Sequence, residues 1–311
     1  MFNGIKDFLV NALKGLGMGA ANVIPGVSGG TIALITGIFE RIINAIKSID
    51  IVALRLLFKG KIRELLDHID FYFLLAVFLG MVISVVSLAR IFEYLFTNYP
   101  VYIWSFFFGL ILASLYYVGK TVSKWTFSVI LTFIIGASFA IWVSFMNPAT
   151  SDDSFLYLVL CGIVAICSMI LPGLSGSFVL ILMGNYELVM IDAVNDANVS
   201  VLFPVILGAI FGLVAFSHLL SWIYKKYKNQ TIATLTGFIL GSLSILWPWK
   251  LPVYRVDEAG DFILKNGEKL VQGYDFFIPG NFSLEVIVAL AILVGGVLTI
   301  VLIEKLAEKT K

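Results

Sequence analysis

"NVIPGVSGGTIALITGIFE", residues 22–40, lies in an apolar stretch yet contains Pro25-Gly26, followed by Ser28, Gly29, Gly30 and Thr31. Proline cannot continue a helical hydrogen-bond ladder, because it has no N–H and its ring crowds the preceding turn. Glycine permits a sharp reversal, and serine is a good N-cap for a new helix. The stretch therefore reads as one helix stopped and another started within a hydrophobic environment. Lys14 to Pro25 makes about 11 residues, or about 16 Å of helix; Ser28 to Phe39 is of similar length. Neither arm crosses a hydrocarbon core about 30 Å thick. Residues 14–40 thus predict a re-entrant helical hairpin with its tip near mid-membrane. Before it, "MFNGIKDFLVNALKGLGMG" lacks the small-residue cleavage site of a signal peptide and reads as a short amphipathic helix leading into the break.

The rest of the chain supplies the apolar surroundings. Of 311 residues, 60% are hydrophobic and 13% charged, with a mean hydropathy of +1.00. Soluble domains are nearer 45–50% apolar and about 25% charged, so the composition is that of an integral membrane protein. The net charge of +1 gives no reason to expect a nucleic-acid partner. Cys161 and Cys167 lie six apart, which is not a same-face helical spacing; they read as small packing residues, and no metal or cofactor is expected. Long apolar runs predict spans at 72–97, 101–118, 126–146, 201–224, 231–248 and 283–304, each near the roughly 20 residues a crossing requires. With the N-terminus inside, the 21 Lys and Arg fall mostly in the inner segments around 6–14, 41–63, 120–124, 225–228 and 305–311. The outer turns 147–153 and 188–200 hold no Lys or Arg; their charged residues are Asp152, Asp153, Asp192 and Asp196. This satisfies the positive-inside rule and predicts a multi-pass protein of the plasma membrane with both termini cytoplasmic. The basic segment 41–68 reads as lying on the anionic inner leaflet or as a solvated linker. The loop 249–282 is external, and Asn266-Gly267 between short apolar runs signals a type I′ hairpin.

A second stretch, "MILPGLSGSFVLILMGNYE" (169–187), aligns with the first over 16 ungapped positions at an offset of 147. Pro172, Gly173, Ser175 and Gly176 match Pro25, Gly26, Ser28 and Gly29. Further on, Glu187 matches Glu40. At an offset of 128, "GLILASL" (109–115) matches "GFILGSL" (237–243), and Arg90 falls opposite His218. The chain divides into two homologous halves, 1–150 and 151–311. Each has one broken hairpin and three transmembrane helices. Three crossings are odd, so the second half must be inserted upside down. The expected fold is an all-α polytopic membrane protein built as an inverted repeat, as in many secondary transporters.

The broken helices suggest a chemistry. A helix start in lipid exposes backbone N–H groups and a positive dipole end, and unpaired groups there cost several kcal/mol each. Side chains, water or an anion must satisfy them. Gly29, Gly30, Gly176 and Ser177 are small enough to let a phosphate or carboxylate approach the backbone. Two tips would make a two-sided anion cradle; self-capping serines packed tip to tip are the alternative. Arg90, deep in a span at a cost of about 3 kcal/mol, is read as the fixed positive charge for the anion or as the partner of Glu93 at i+3. His218 reads as a proton site or as a hydrogen-bonded helix histidine. Glu40 and Glu187 read as gating or coupling groups, or as interfacial carboxylates.

These residues carry a resemblance. "GMGAANVIPGVSGGTIALITGIFERI" (17–42) and "LPGLSGS" (171–177) are similar to the polyprenyl-phosphate (undecaprenyl-phosphate) transporter family, and the likeness covers essentially the whole chain. The resemblance implies a flippase returning the carrier lipid from the outer to the inner leaflet for cell-wall assembly. Its motif positions here are Asn22, Pro25, Gly26, Ser28, Gly29, Gly30 and Thr31, then Pro172, Gly173, Ser175, Gly176 and Ser177. The implied partners are a polyprenyl phosphate and the bilayer; a homo-oligomer is compatible with the sequence. Two other readings compete. The tips also resemble the Pro-Gly-x-Ser-Arg-Ser-Gly loop of undecaprenyl-pyrophosphate phosphatases, but Gly29 and Gly176 stand at the arginine position. With only His68 and His218 in the chain, and no carboxylate beside either tip in sequence, the charge stabilisation that hydrolysis needs is missing. The chain is therefore not expected to be an enzyme. A small-anion channel or transporter is the third reading.

Overall fold

The computed structural model describes residues 4–23, 28–146, 148–254, 264–265, 268–269 and 271–308. In chain order the helices are α1 (Ile5–Val23), α2 (Gly29–Ile35), α3 (Phe39–Lys47), α4 (Ile51–Phe58), α5 (Ile62–His68), α6 (Phe71–Asn98), α7 (Pro100–Lys120), α8 (Phe127–Ser144), α9 (Phe155–Ile170) and α10 (Gly176–Leu182). A π-turn at Leu188–Asp192 leads into α11 (Ala193–Asn195), and then come α12 (Val199–Lys226), α13 (Lys228–Leu246) and α14 (Leu284–Glu308). Six of these, α6, α7, α8, α12, α13 and α14, are long and apolar enough to cross a membrane. They match the six expected spans to within a few residues.

Glycines set the packing. A β-carbon at Gly15 would collide with the Val77 carbonyl, one at Gly80 with that of Ala12, and one at Gly19 would lie 2.7 Å from the Met81 Cα. Close backbone approach through small residues is how helices associate when lipid is as apolar as leucine. Gly15 and Gly19 face Val77 and Met81, four residues on in each helix, so α1 and α6 run parallel. Val23, four residues beyond Gly19, therefore stands about level with Val85, near the middle of α6. The same contacts recur elsewhere. Gly162 and Gly208 meet the Val205 and Val159 carbonyls between α9 and α12, and Gly212 meets Ile163. Between α7 and α14, Gly109 meets Leu293 and Gly296 meets Phe106; between α13 and α8, Gly237 meets Phe133 and Gly136 meets Thr234. Gly15 and Gly162 share the offset of 147, and Gly80 and Gly208 the offset of 128. The α7–α14 and α8–α13 contacts interlock the first 150 residues with the last.

The N-terminal segment forms a helix leading into the break, as expected, though a longer one: it is continuous with the first arm as α1, of 19 residues. One expectation needs correction. The arm after the break ends early. α2 stops at Ile35, Gly37 takes a positive φ of 71°, and α3 leaves at 113° to α2. Gly184 takes the same role after α10, at φ 73°. In the second motif α9 has 16 residues, about 24 Å at 1.5 Å per residue, short of a full crossing.

The basic segment 41–68 folds as α3, α4 and α5. Asp50 caps α4, accepting from the Val52 and Ala53 N–H groups at 2.8 and 3.0 Å. These bonds, led by that from Ala53 and joined by His68 at 3.2 Å, hold the Asp50 carboxyl below its ordinary value. A lowered carboxyl pKa adds stability at neutral pH that disappears as acidification passes through it. Asp50→Ala should cost α4 about 1 kcal/mol, measured as faster proteolysis within 48–61 at pH 7 and a narrower gap from wild type in acid. In the external loop, β1 (Lys250–Tyr254) pairs antiparallel with β4 (Val271–Phe276), and β2 (Leu264–Lys265) with β3 (Glu268–Lys269). Lys265 faces Glu268 across the two-residue connection expected for a hairpin; Asn266 and Gly267 themselves lie outside the described residues.

Candidate site at the junction of the two helix breaks

The structure brings the two repeated motifs into contact. Pro25 and Gly26 lie outside the described residues, but Ser28, Gly30 and Thr31 meet the second motif directly. The Ser28 hydroxyl donates to the Leu171 carbonyl at 3.2 Å, and the Gly173 N–H donates to Thr31 Oγ1 at 3.0 Å. Gly30 is packed so closely that a β-carbon would stand 2.8 Å from the Ile170 carbonyl oxygen. Gly173 takes φ 82° against the Phe238 backbone of α13, which only glycine tolerates. Ser28, Gly29, Gly30, Thr31, Pro172, Gly173 and Gly176 are all buried.

The two breaks differ in how their donors are satisfied. At the first, Ser28 caps α2 by accepting from the Gly30 N–H at 3.1 Å, while Asn22 Oδ1 accepts from the Gly29 N–H at 2.7 Å. At this break the self-capping alternative is the one seen: the protein itself occupies these donors in this conformation. At the second, Ser175 stands in the N-cap position with the same extended backbone but makes no side-chain cap; its hydroxyl lies 2.8 Å from that of Ser177. The two motifs differ in sequence at both points: Met169, packed against Gly176, stands where Asn22 accepts from Gly29, and Ser177, whose hydroxyl lies against that of Ser175, stands where Gly30 donates to Ser28. Thr31→Val, which removes the acceptor of a buried N–H, should lower stability by about 1–3 kcal/mol. Thermal unfolding in detergent checks this, and Thr31→Ser should restore it.

The remaining expected residues are spread more widely. Arg90 and Glu93 lie in α6, one turn apart and beyond the level of Val23; their side chains lie outside the described residues. His218 Nδ1 lies 2.9 Å from the Val214 carbonyl one turn back in α12, so it takes the hydrogen-bonded helix reading. Glu40 does not end α2; the turn at Gly37 moves it into the first turn of α3, where it is exposed. Glu187 is half-buried at the start of the π-turn.

Reading the sequence missed the polar base of the first hairpin. Arg41 spans Asp70 with two bonds of 2.6 and 3.1 Å, approaches Asp7 at 3.8 Å and stacks 4.0 Å over the Phe73 ring. Lys14 donates to the Thr36 carbonyl at 3.0 Å, closing the C-terminal end of α2. Beside them a cavity of about 430 Å³ is lined by Glu40, Arg41, Asn44, Ser48, His68 and Asp70 among others. The signal was Asp70 before a long span, but its pairing with residue 41 depends on the bend at Gly37. Cys161 and Cys167 are free thiols, and Cys161 packs against Asn185 Nδ2 at 3.6 Å.

Comparison with known proteins gives the family. Residues 18–262 match a family described as undecaprenyl phosphate translocase-like. The chain is 36% identical over 304 residues to a polyprenyl-phosphate transporter of Vibrio cholerae serotype O1, covering 97% of this chain and 98% of that one. It is 30% identical over 256 residues to a polyprenyl-phosphate transporter of Staphylococcus aureus, covering 77% and 86% respectively. No solved structure matches the chain. The match extends from α1 into the external loop and takes in both helix breaks, so the chain belongs to the undecaprenyl phosphate translocase-like family.

Proposed function

We propose that this protein carries a polyprenyl phosphate from the outer to the inner leaflet of the plasma membrane, holding the phosphate head where the two helix breaks meet. The observation that carries this reading is the mutual hydrogen bonding of the motifs, Ser28 to Leu171 and Gly173 to Thr31, across more than 140 residues of sequence. The relatives' names supply the lipid. A transporter of such a lipid shelters only the anionic head, since the tail is stable in hydrocarbon.

In this reading the two halves, 1–150 and 151–311, are an inverted repeat. Support comes from the twin glycine contacts and from the paired turns at Gly37 and Gly184. α1–α2 and α9–α10 are then re-entrant hairpins from opposite faces, and the level of Val23 near mid-α6 is consistent with a tip inside the bilayer. The head would replace the side-chain caps from Asn22 and Ser28 at the first tip and add acceptors at the second, where Ser175 supplies no cap. Exchanging protein caps for phosphate oxygens keeps the donors paired in both states, which limits the barrier to loading and release. Separation of the tips toward one face and then the other gives alternating access.

The test is reconstitution of purified protein into vesicles carrying labelled undecaprenyl phosphate in the outer leaflet, with and without a pH gradient. Protein-dependent loss of label from the outer leaflet is expected. No movement above protein-free vesicles under either condition would overturn the proposal.

A further inference from the structure

At the outer end of the bundle, as the proposed orientation has it, the structure holds a cation that the helix breaks do not use. Lys250 opens β1, four residues after α13 ends. Its ammonium donates to the Ile245 carbonyl in the last turn of α13. It lies 3.5 Å from the centroid of the Trp104 ring of α7 and 4.7 Å from that of Tyr274 on β4. Trp247 stacks edge-on against Phe108 and Trp249 nearby. Two aromatic rings, from α7 and β4, and a carbonyl of the last turn of α13 thus close around one amine.

Among the described residues no carboxylate stands within ion-pair distance of Lys250. The neighbouring acid on β4 is Asp275, which is opposite Leu251 in the register and so belongs to the other face of the ladder. Burial pushes the amine down to about 7, so near neutral pH it is only partly charged and an anion beside it would favour the protonated form. Taking an ammonium out of water is costly unless it is paired, and aromatic faces return only part of that cost. A group in this condition gains more from an arriving anion than any solvated lysine does, because the anion restores the missing partner in a medium of low polarity.

We infer that Lys250 is a phosphate-recognition residue at the outer mouth, capturing the head of a prenyl phosphate before it passes to the helix breaks. This rests on the proposed transport direction. Apolar side chains exposed on the same loop, Phe276, Phe277, Ile278 and Phe282, offer a surface for the isoprenoid next to the head. On arrival the phosphate oxygens take ammonium hydrogens now directed at Ile245 and the two rings. The two chemical parts of the lipid, an anion and a hydrocarbon chain, then meet the two kinds of surface that the loop presents.

Two measurements test it. In the first, wild-type protein in detergent is reductively methylated at pH 7.5, and Lys250 is followed by peptide mass spectrometry in the presence of farnesyl phosphate, farnesol or inorganic phosphate. Protection several-fold greater by farnesyl phosphate than by the other two is expected. Equal protection by farnesol means apolar docking alone and overturns the inference. Equal protection by inorganic phosphate means a site for the free anion and overturns the role in lipid capture. In the second, Lys250→Gln is compared with Lys250→Arg in the vesicle assay. The Gln variant is expected to raise KM for the lipid about tenfold, the loss of one charged hydrogen bond, with kcat little changed. Arg, which keeps the charge and the stacking, is expected to restore it. An unchanged KM for Gln, or equal damage to kcat in both variants, overturns the inference and leaves Lys250 as a latch for the loop. If wild-type protein moves no lipid yet Lys250 is still protected by farnesyl phosphate, the transport reading fails and this site stands.

Discussion

Gly30→Val should stop lipid-phosphate transport while the protein still inserts and folds. The position is the tightest point between the two motifs. A β-carbon there would stand 2.8 Å from the Ile170 carbonyl oxygen and 3.3 Å from the Pro172 nitrogen, both of them backbone atoms that cannot swing aside. Valine adds two further methyl groups, so the breaks must separate. Separation costs the Ser28–Leu171 and Thr31–Gly173 bonds, together about 3 kcal/mol if each is worth about 1.5. On the scale of about 1.4 kcal/mol per decade, that is about a hundredfold in the population of the joined state. Gly29→Val should strain the first break rather than part the two, because the neighbours of a β-carbon there are the Asn22 side chain, at 2.8 and 2.9 Å, and the Met18 carbonyl oxygen, at 3.0 Å, all before the break in α1. Gly295→Val is the control: nothing lies within 4 Å of a β-carbon there, so insertion and transport should match wild type. Vesicle transport measured beside size-exclusion behaviour in detergent separates loss of function from loss of fold. Wild-type transport by Gly30→Val would show that the junction is not where the head passes.

Arg90→Ala should reduce transport by a comparable factor, for an electrostatic reason. The register of α1 on α6 sets Val23 about level with Val85, so Arg90 stands little more than a turn beyond the end of α1, two residues past the apolar stretch Phe71–Leu88 and within the longer span, 72–97, read from the sequence. Keeping arginine there costs about 3 kcal/mol even on the lenient insertion scale. If it serves as the fixed charge for the phosphate head, alanine removes the only permanent positive charge that the sequence places in α6. A charged hydrogen bond in such a site is worth about 1.5–3 kcal/mol, or roughly ten- to hundredfold in rate. Arg90→Lys, which keeps charge without the planar fork, should recover part of it. Normal leaflet exchange by Arg90→Ala in vesicles would remove Arg90 from the mechanism and leave it as the partner of Glu93.

The meeting of the helix breaks is legible in the sequence only in part. The repeat of Pro-Gly-x-Ser-Gly predicts two interrupted helices and a role for Ser28 as a cap, and Ser28 does cap α2. It also predicts the same of Ser175, which fails because a cap needs its hydroxyl turned toward the backbone, and Ser177 lies within hydrogen-bond distance instead. Asn22 enters on resemblance alone. Its action, accepting from Gly29 across the break, requires the chain to fold back on itself. Arg41 and Asp70, 29 residues apart, carry no pattern that links them.

By itself the sequence determined the six spans, the two breaks and their kinship, because hydrophobic length, missing N–H groups and internal similarity are local properties of a chain in lipid. Only the tertiary structure decided which elements touch: α1 beside α6, α7 against α14, and the first break bonded to the second. Those contacts depend on glycines that let backbones come within van der Waals reach. A glycine in a sequence shows where such an approach is allowed, and the folded chain alone selects the partner.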